Sequence, residues 1–306
     1  MDTQRDVFFN QLYDLARVDR QVVLLIADCG APSLDRWRRD IPAQIINVGI
    51  AEQNMISLAA GLALEGKKPY CYAIAPFASL RCLEQTKVDL CCHPLPVTIV
   101  GVGAGFSYDT SGPTHHATED LGVMRALPNM TIFNPADNPT ARSLAEQTYH
   151  MAGPAYVRLD RQPFPDLYGW DINFSDGYFV LRPPLEQMVL VATGNMVHTA
   201  RKVSEAVPDI SVIDLFRLKP VDIHFIQYLK DTPAAHVITL EEHVLSGGLG
   251  SIIAEIKADE NLKFRLTRIG IPDVYNFAYG GREIMQMKNG LDLPSIVEKV
   301  KAVYDH

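Results

Sequence analysis

The chain is short of positive charge. Its 28 lysines and arginines face 36 aspartates and glutamates, for a formal net charge of −8. A nucleic-acid backbone needs a basic surface, so this balance argues against nucleic acid as a partner. Long apolar runs are also missing. None approaches the ~20 residues that span a bilayer, which argues against a membrane protein. The opening stretch, MDTQRDVFFNQLYDLARVDRQ, patterns as an amphipathic helix. It carries neither the apolar core nor the cleavage site of a signal peptide, and a cytoplasmic location is expected. Cysteine is sparse and irregular. Cys29, Cys71, Cys82, Cys91 and Cys92 all fall in the first third. An odd, unspaced set predicts reduced core thiols rather than a disulfide framework or a zinc site. Cys91-Cys92-His93 lacks a second ligand pair at useful spacing.

What is present suits an ordinary soluble globular protein. The 306 residues are 47% apolar and 21% charged, enough for two domains. Continuous apolar runs at 22–27, 44–48, 68–73, 95–102, 130–133 and 155–158 predict strands. Helical patterns occupy 4–17, 51–65, 78–91, 118–127 and 137–151. Continuous rather than alternating strands suit a parallel sheet covered on both faces. Residues 160–185 break the pattern with Pro163, Pro165, Gly169, Gly177, Pro183 and Pro184 among aromatics, and predict a surface linker. A second alternation follows, with strands at 188–192, 210–214, 236–240 and 264–268. Helices are expected at 195–206, 222–230, 249–258, 282–287 and 293–304. The predicted fold class is therefore α/β, with two domains built on mostly parallel sheets.

The segment Asn47-Val48-Gly49-Ile50-Ala51-Glu52-Gln53-Asn54-Met55 places a glutamate between an apolar strand and a small-residue helix. Nothing basic lies near it in sequence. Packed against Ile50, Met55 and Leu58, its carboxyl would be partly desolvated, a setting that favours sharing a proton near neutral pH. The alternative is an exposed first-turn acid favoured by the helix dipole. Further on, Ser111-Gly112-Pro113-Thr114-His115-His116-Ala117-Thr118-Glu119-Asp120 presents two histidines on a Gly-Pro turn, where Thr114 or Thr118 could cap the next helix. Adjacent histidines point differently, so at most one reaches a given site. A metal set of His115, His116 and Glu119, a plain surface turn, and a histidine that polarises a substrate oxygen all remain open. Phe77, at a helix entrance, is either core or a stacking platform. Arg5, Arg81 and Arg161 are candidate anion ligands. Gly101–Phe106 reads as a loop at a strand's carboxyl end, where open α/β sheets bind ligands. Ser246-Gly247-Gly248-Leu249-Gly250 opens a helix, as a close turn or as an anion cradle.

Taken together, the ordered segments NVGIAEQNMISLAAGLAL, APFASLRCLEQTKVDL, GPTHHATEDLGVMRALPNMTIFNPAD, YVRLDRQ, FRLKPVD, EEHVLSGGLGSIIAEI and RIGIPDVY resemble the transketolase family of thiamine diphosphate enzymes. The resemblance covers essentially the whole chain. It implies a pyrimidine-binding domain at 1–165, a linker at 166–185 and a transketolase C-terminal domain at 186–306. The family's Gly-Asp-Gly…Asn motif, which holds the diphosphate and its Mg2+ or other divalent cation, is not found. That implies a separate N-terminal subunit carrying both, in an expected α2β2 assembly, with no metal held by this chain. Glu52 resembles the catalytic glutamate that hydrogen-bonds the cofactor's aminopyrimidine. Ile50, Phe77, Arg81 and Asp28 resemble further cofactor-binding positions. His115 resembles the substrate-facing catalytic histidine. Arg161 and Arg5 resemble arginines that grip a phosphate, and Ser111 stands where the family usually has a sugar-reading aspartate. A phosphate-binding histidine expected near Gly103 is replaced, and Asn54 stands where some relatives carry histidine. The implied activity is transfer of a two-carbon ketol unit from a ketose to an aldose, either one a sugar or sugar phosphate. Alternatives are the β subunit of a 2-oxo acid dehydrogenase, a deoxyxylulose phosphate synthase-like carboligase, or a non-catalytic scaffold.

Overall fold

The continuous apolar runs become parallel strands, because a strand buried on both faces has no solvent side on which to place polar residues. The computed structural model describes residues 2–182 and 188–304. Two compact units are distinguished. The first comprises Met1–Ala104, Val123–Phe133 and Asp137–Ile172; the second comprises Gly105–Gly122, Asn134–Ala136 and Asn173–His306.

In the first unit the strands are β1 (Val22–Ile26), β2 (Ile45–Asn47), β3 (Lys68–Ile74), β4 (Thr98–Val102), β5 (Thr131–Phe133) and β6 (Ala155–Leu159). They lie in the order β5-β6-β4-β3-β1-β2, every pair parallel. β1, β4 and β6 are buried along their whole length. Helices α1 (Gln4–Val18), α2 (Leu34–Asp40) and α3 (Glu52–Leu64) precede α4 (Ala75–Ser79) and the single turn α5 (Leu83–Gln85). The core of this unit joins Phe8, Phe9 and Leu12 of α1 and Trp37 of α2 to Leu24, Tyr70, Val100 and Val157 of the sheet.

Two expectations are corrected here. The continuous helix expected over 78–91 is broken. α4 ends at Ser79, whose hydroxyl donates to the Ala75 carbonyl at 2.6 Å, and a wider-pitched turn follows α5 over Thr86–Cys91. α2 was not expected at all. Its sequence LDRWRRD buries only Leu34 and Trp37, too few apolar positions for a period to show.

Helices α6 (Asp120–Arg125) and α7 (Asn138–Tyr149) complete the first half of the chain. The second unit has strands β7 (Tyr178–Arg182), β8 (Met188–Ala192), β9 (Ile210–Leu215), β10 (Arg217–Lys219), β11 (His236–Val244) and β12 (Arg265–Ile271). Five of these form a sheet in the order β12-β11-β8-β9-β7. Only β7 runs antiparallel in it, against β9. This strand falls inside the stretch expected to be a surface linker, and Tyr168 and Phe174 of that stretch are buried. An antiparallel edge strand can be reached through a short return, and TyrPheValLeuArg has the aromatic and β-branched content strands favour. Pro183 and Pro184 of the expected linker lie outside the described residues. Helices α8 (Met196–Ala206), α9 (Ile223–Asp231), α10 (Leu249–Asp259), α11 (Arg282–Lys288) and α12 (Leu293–Tyr304) alternate in sequence with this sheet's strands and follow them. Among the described residues no helix is long and apolar enough to cross a membrane.

Candidate active site

Glu52 is the first residue of α3, reached from β2 through a tight turn. Asn47 organises that turn. Its side-chain oxygen accepts from the Asp28 amide at 3.1 Å and from the Gly49 amide at 3.0 Å, and its amide nitrogen donates to the Asp28 carboxylate at 3.1 Å. Asp28 sits in the left-handed region at φ 54°, which aspartate tolerates better than most residues, and Gly49 is also left-handed at φ 73°. Both strand ends are thereby held by one side chain.

The Glu52 carboxylate is buried, at 3% exposure, and the structure supplies the partner that the local sequence lacks. Arg81, after α4, donates from Nη1 to Glu52 Oε2 at 2.8 Å. The same guanidinium lies over the Phe77 ring, 4.2 Å from its centroid. The expected packing of Glu52 is corrected in part. Met55 is fully buried, but Ile50 is 77% and Leu58 38% exposed. Two thiols border the carboxylate instead. Burial pushes the Cys29 thiol up, with the Glu52 and Asp28 carboxylates adding to it. Burial pushes Cys82 up to about 12, against a lowering hydrogen bond from Thr86 and with help from Glu52. Both thiols are therefore protonated neighbours, not competing anions.

Arg5 lies in the first turn of α1 and is held by its neighbour. Its Nη2 donates to Asp6 Oδ2 at 3.0 Å and its Nε to Oδ1 at 3.4 Å. Ser33 donates to Asp6 Oδ1 at 2.9 Å and Thr3 to Oδ2 at 2.7 Å. Arg161 follows β6 and is exposed; one residue before it, the Asp160 amide donates to the Gln4 side chain at 2.9 Å.

In the second unit, Ser111 is exposed and begins the turn that carries the histidines. His115 is half-buried, its Nδ1 2.9 Å from the Thr114 hydroxyl and its ring 6.0 Å from that of Tyr108. His116 faces other surroundings. It is 2% exposed, edge-on to Phe106 at 5.3 Å. The Thr118 hydroxyl donates to Glu119 at 2.7 Å, so that carboxylate is engaged within its own loop. The loop is fastened by the Phe106 amide donating to Glu242 Oε1 at 2.7 Å and the Val244 amide to the Thr118 carbonyl at 2.8 Å. Arg282 braces Glu242, donating from Nη2 to Oε1 at 2.8 Å. The anion cradle considered at Gly248 is occupied by the protein itself. Glu241 accepts from the Leu249 amide at 2.7 Å and the Gly250 amide at 2.8 Å. Asn47, Asp6 and Ser33 in the first unit and Glu242 and Arg282 in the second hold segments that carry candidate residues, and the sequence did not single them out. Asn47 stands inside the most informative motif, but the others had no local signal.

A buried carboxylate and an aromatic ring bridged by one arginine thus stand at the strand-end loops of a parallel sheet, the edge at which open α/β enzymes bind their ligands. The profile of the transketolase pyrimidine-binding domain matches residues 3–166, and that of the transketolase C-terminal domain matches 177–296. An apulose-4-phosphate transketolase subunit of Actinobacillus succinogenes is 35% identical over 265 residues, covering 85% of each chain. A split-gene transketolase, solved as an inactive β4 tetramer, superposes with a TM-score of 0.89 at 31% identity over 99% of this chain and 98% of that one. The 1-deoxy-D-xylulose-5-phosphate synthase of Chlorobium phaeovibrioides is 31% identical over 98% of this chain, which spans 48% of that protein. The chain belongs to the transketolase family.

The family implies thiamine diphosphate, and the Glu52 site fits its aminopyrimidine. Arg81 already shows that a flat cationic group can lie on Phe77 while donating a hydrogen bond to Glu52. An aminopyrimidine is flat, stacks on aromatic rings and offers a ring nitrogen to a carboxyl.

Proposed function

We propose that the chain is the C-terminal subunit of a split transketolase. It moves a two-carbon ketol unit from a ketose or ketose phosphate to an aldose or aldose phosphate. The observation that carries this reading is the buried Glu52, linked through Arg81 to the Phe77 ring, within a chain that aligns over 95% of its length with a transketolase subunit. When bound, the cofactor supplies the carbanion chemistry that breaks and forms the carbon–carbon bond beside the ketose carbonyl. From its buried position Glu52 would hydrogen-bond the aminopyrimidine's ring nitrogen and exchange a proton with it. Phe77 supports the ring face. Arg81 leaves the position it takes in this chain, which its 42% side-chain exposure makes sterically open, and then borders the cofactor. Asp28 and Ile50, set by the Asn47 clamp and the Gly49 turn, line the cofactor's edge. His115 hydrogen-bonds a substrate oxygen, and Ser111, Arg5 and Arg161 read the rest of the sugar.

The exposed Ile50 and Leu58 beside a buried carboxylate support completion of the site by another chain. That partner would carry the diphosphate and its Mg2+ or another divalent cation, in an α2β2 assembly in the cytoplasm. The synthase reading is the second candidate, favoured by the match over nearly the whole chain, and it predicts use of pyruvate as donor.

The test is reconstitution with the partner subunit and assay of ketol transfer. Glu52→Gln should lower turnover by at least about a hundredfold while subunit assembly is unchanged, because the amide cannot exchange the proton. Turnover at the wild-type rate in that variant would end the proposal. Activity with pyruvate in place of a ketose would select the synthase reading.

A further inference from the structure

The segment after β12 presents a row of bare aromatic rings. The chain bends at Asp273 and Val274 and again at Gly280, and residues 275–279 between these bends hold neither helix nor turn. Exposure alternates along them. Tyr275, Phe277 and Tyr279 are 66%, 76% and 76% exposed, while Asn276 and Ala278 are half-buried. A period of two is that of an extended run, whose alternate side chains share one face. The inward face is anchored. Asn289, which closes α11, donates from Nδ2 to the Asn276 side-chain oxygen at 2.8 Å. The far end is held as well. Gly280 and Gly281, at φ 119° and 95°, turn the chain into α11, whose first residue is the Arg282 bound to Glu242. The row is thus fixed in the second unit before anything binds it.

Three rings of about 150–250 Å² each, exposed to this degree, present roughly 300–550 Å² of mostly apolar surface. A patch of that size on a soluble chain marks a contact surface. A stable interface takes about 800 Å² from each partner, so the row is large enough to be its centre. The composition fits a protein partner. Interface centres are rich in aromatics and poor in charge, and no charged residue lies between Asp273 and Arg282. No lysine or arginine stands between Arg268 and Arg282, so the row lacks the basic residues that anionic lipid attracts. Among the described residues, no hydrogen bond engages the backbone amides or carbonyls of 275–279. An extended run with its main chain open in this way can take another run beside it.

The order of the rings selects the partner. Tyr275-Asn276-Phe277-Ala278-Tyr279 shows the same aromatic pattern read in either direction. A two-fold axis through Phe277 that sets two copies antiparallel places Phe277 opposite its counterpart and Tyr275 opposite Tyr279. An isologous contact requires such self-complementarity, and opposed aromatic side chains on antiparallel runs attract. We propose that Tyr275, Phe277 and Tyr279 form the centre of a two-fold interface between two copies of this chain, with Phe277 on the axis. The proposal stands on the second unit alone and is independent of the reaction assigned to the first.

The experiment uses the full chain with its exposed native thiol removed by Cys92→Ser. Tyr275→Cys, Phe277→Cys and Tyr279→Cys are made singly in that background and treated with a short bis-maleimide. The linker is chosen to join residues that face each other across about 10 Å or less, but not residues displaced by four positions along a run, about 13 Å. Phe277→Cys should cross-link to a dimer by itself. Tyr275→Cys and Tyr279→Cys should each stay uncross-linked alone and form a dimer when mixed. Equal cross-linking of all three alone, or of none, would overturn the proposal. Sedimentation of the full chain supplies the second readout. Phe277→Asp should weaken self-association at least about tenfold, Phe277→Tyr should preserve it, and Val18→Asp, at an equally bare apolar position on α1, should leave it unchanged. Equal weakening by Val18→Asp would mean unspecific apolar attraction and overturn the two-fold contact. A wild-type chain that is monomeric alone, yet loses its partner subunit on Phe277→Asp, would assign the row to that subunit. A monomeric wild-type chain that binds phosphatidylcholine–phosphatidylserine vesicles through Phe277 would assign it to a lipid surface. Either result overturns the proposal.

Discussion

A carboxylate at 3% exposure beside a guanidinium at 42% is an unequal pair. Glu52 needs the contact more than Arg81 does, because only the buried member loses its hydration. Arg81→Ala should therefore destabilise the unloaded chain. Breaking a fully buried pair costs roughly 3–5 kcal/mol, and the solvent around Arg81 reduces the expected loss here to about 1–2 kcal/mol. Adding Glu52→Gln to that variant should recover part of the loss, since an amide needs no counter-charge. Urea unfolding of the two single variants and the double variant measures this cycle. Additive losses in the double variant would mean that the pair contributes nothing to the unloaded fold. The pairing was not legible beforehand because the partners stand 29 residues apart. No local pattern signals a contact made only when the chain after α4 returns to the start of α3. Asp6 was hidden for a different reason. An acid in the first turn of a helix is so common that it carries no message until Ser33 arrives from 27 residues away.

Among the elements, the buried parallel strands were the most legible because burial on both faces writes itself into the sequence as an unbroken apolar run. β1 and β8 match their expected spans to within a residue. A short helix with few buried side chains and a half-exposed edge strand were the least legible. Every residue of β7 is half-buried, and α2 is anchored by two side chains alone. The joints between elements depend on polar side chains that sequence patterns do not rank. Gln44 is the clearest case. Its buried amide nitrogen donates to the Ala16 carbonyl at 2.9 Å, the Asp19 carbonyl at 3.1 Å and the Val22 carbonyl at 3.0 Å. One side chain therefore closes the end of α1 and the start of β1. Gln44→Ala takes this donor from the buried Ala16 and Val22 carbonyls, a loss of about 1–3 kcal/mol. The measurement is the urea midpoint, with the slope expected to stay constant. An unchanged midpoint would show that water replaces the amide at no cost.

At the scale of the whole molecule, the chain order and the compact units do not coincide. The stretch Gly105–Gly122, which carries Ser111 and His115, belongs to the second unit. There it is pinned by Glu242, with Arg282 and Asn195 on the same carboxylate. That arrangement makes the stability of the second unit sensitive to acid through His116. Burial lowers the affinity of its imidazole for a proton and the neighbouring His115 lowers it further, while Glu242 and Asp109 only partly oppose them. The ordinary imidazole value of about 6.5 applies to the unfolded chain. As pH falls below it, the unfolded chain binds a proton that the folded chain still refuses. The contribution of His116 is then fully present above about pH 6.5 and is lost as pH falls toward the lowered folded value. His236 is lowered by burial as well and acts in the same direction. The wild-type urea midpoint should thus decline as pH falls below about 6.5. Phenylalanine at position 116 keeps a ring against Phe106 and removes the titrating group, so His116→Phe should decline less, with the residual slope belonging to His236. Hydrogen exchange at the Phe106 amide follows the same event locally, since that amide is bonded to Glu242 in the strand that holds the loop. Faster exchange at the lower pH in wild type than in His116→Phe is the expected outcome. Equal slopes and equal exchange in the two proteins would show that His116 binds its proton alike in the folded and the unfolded chain, and would overturn the prediction.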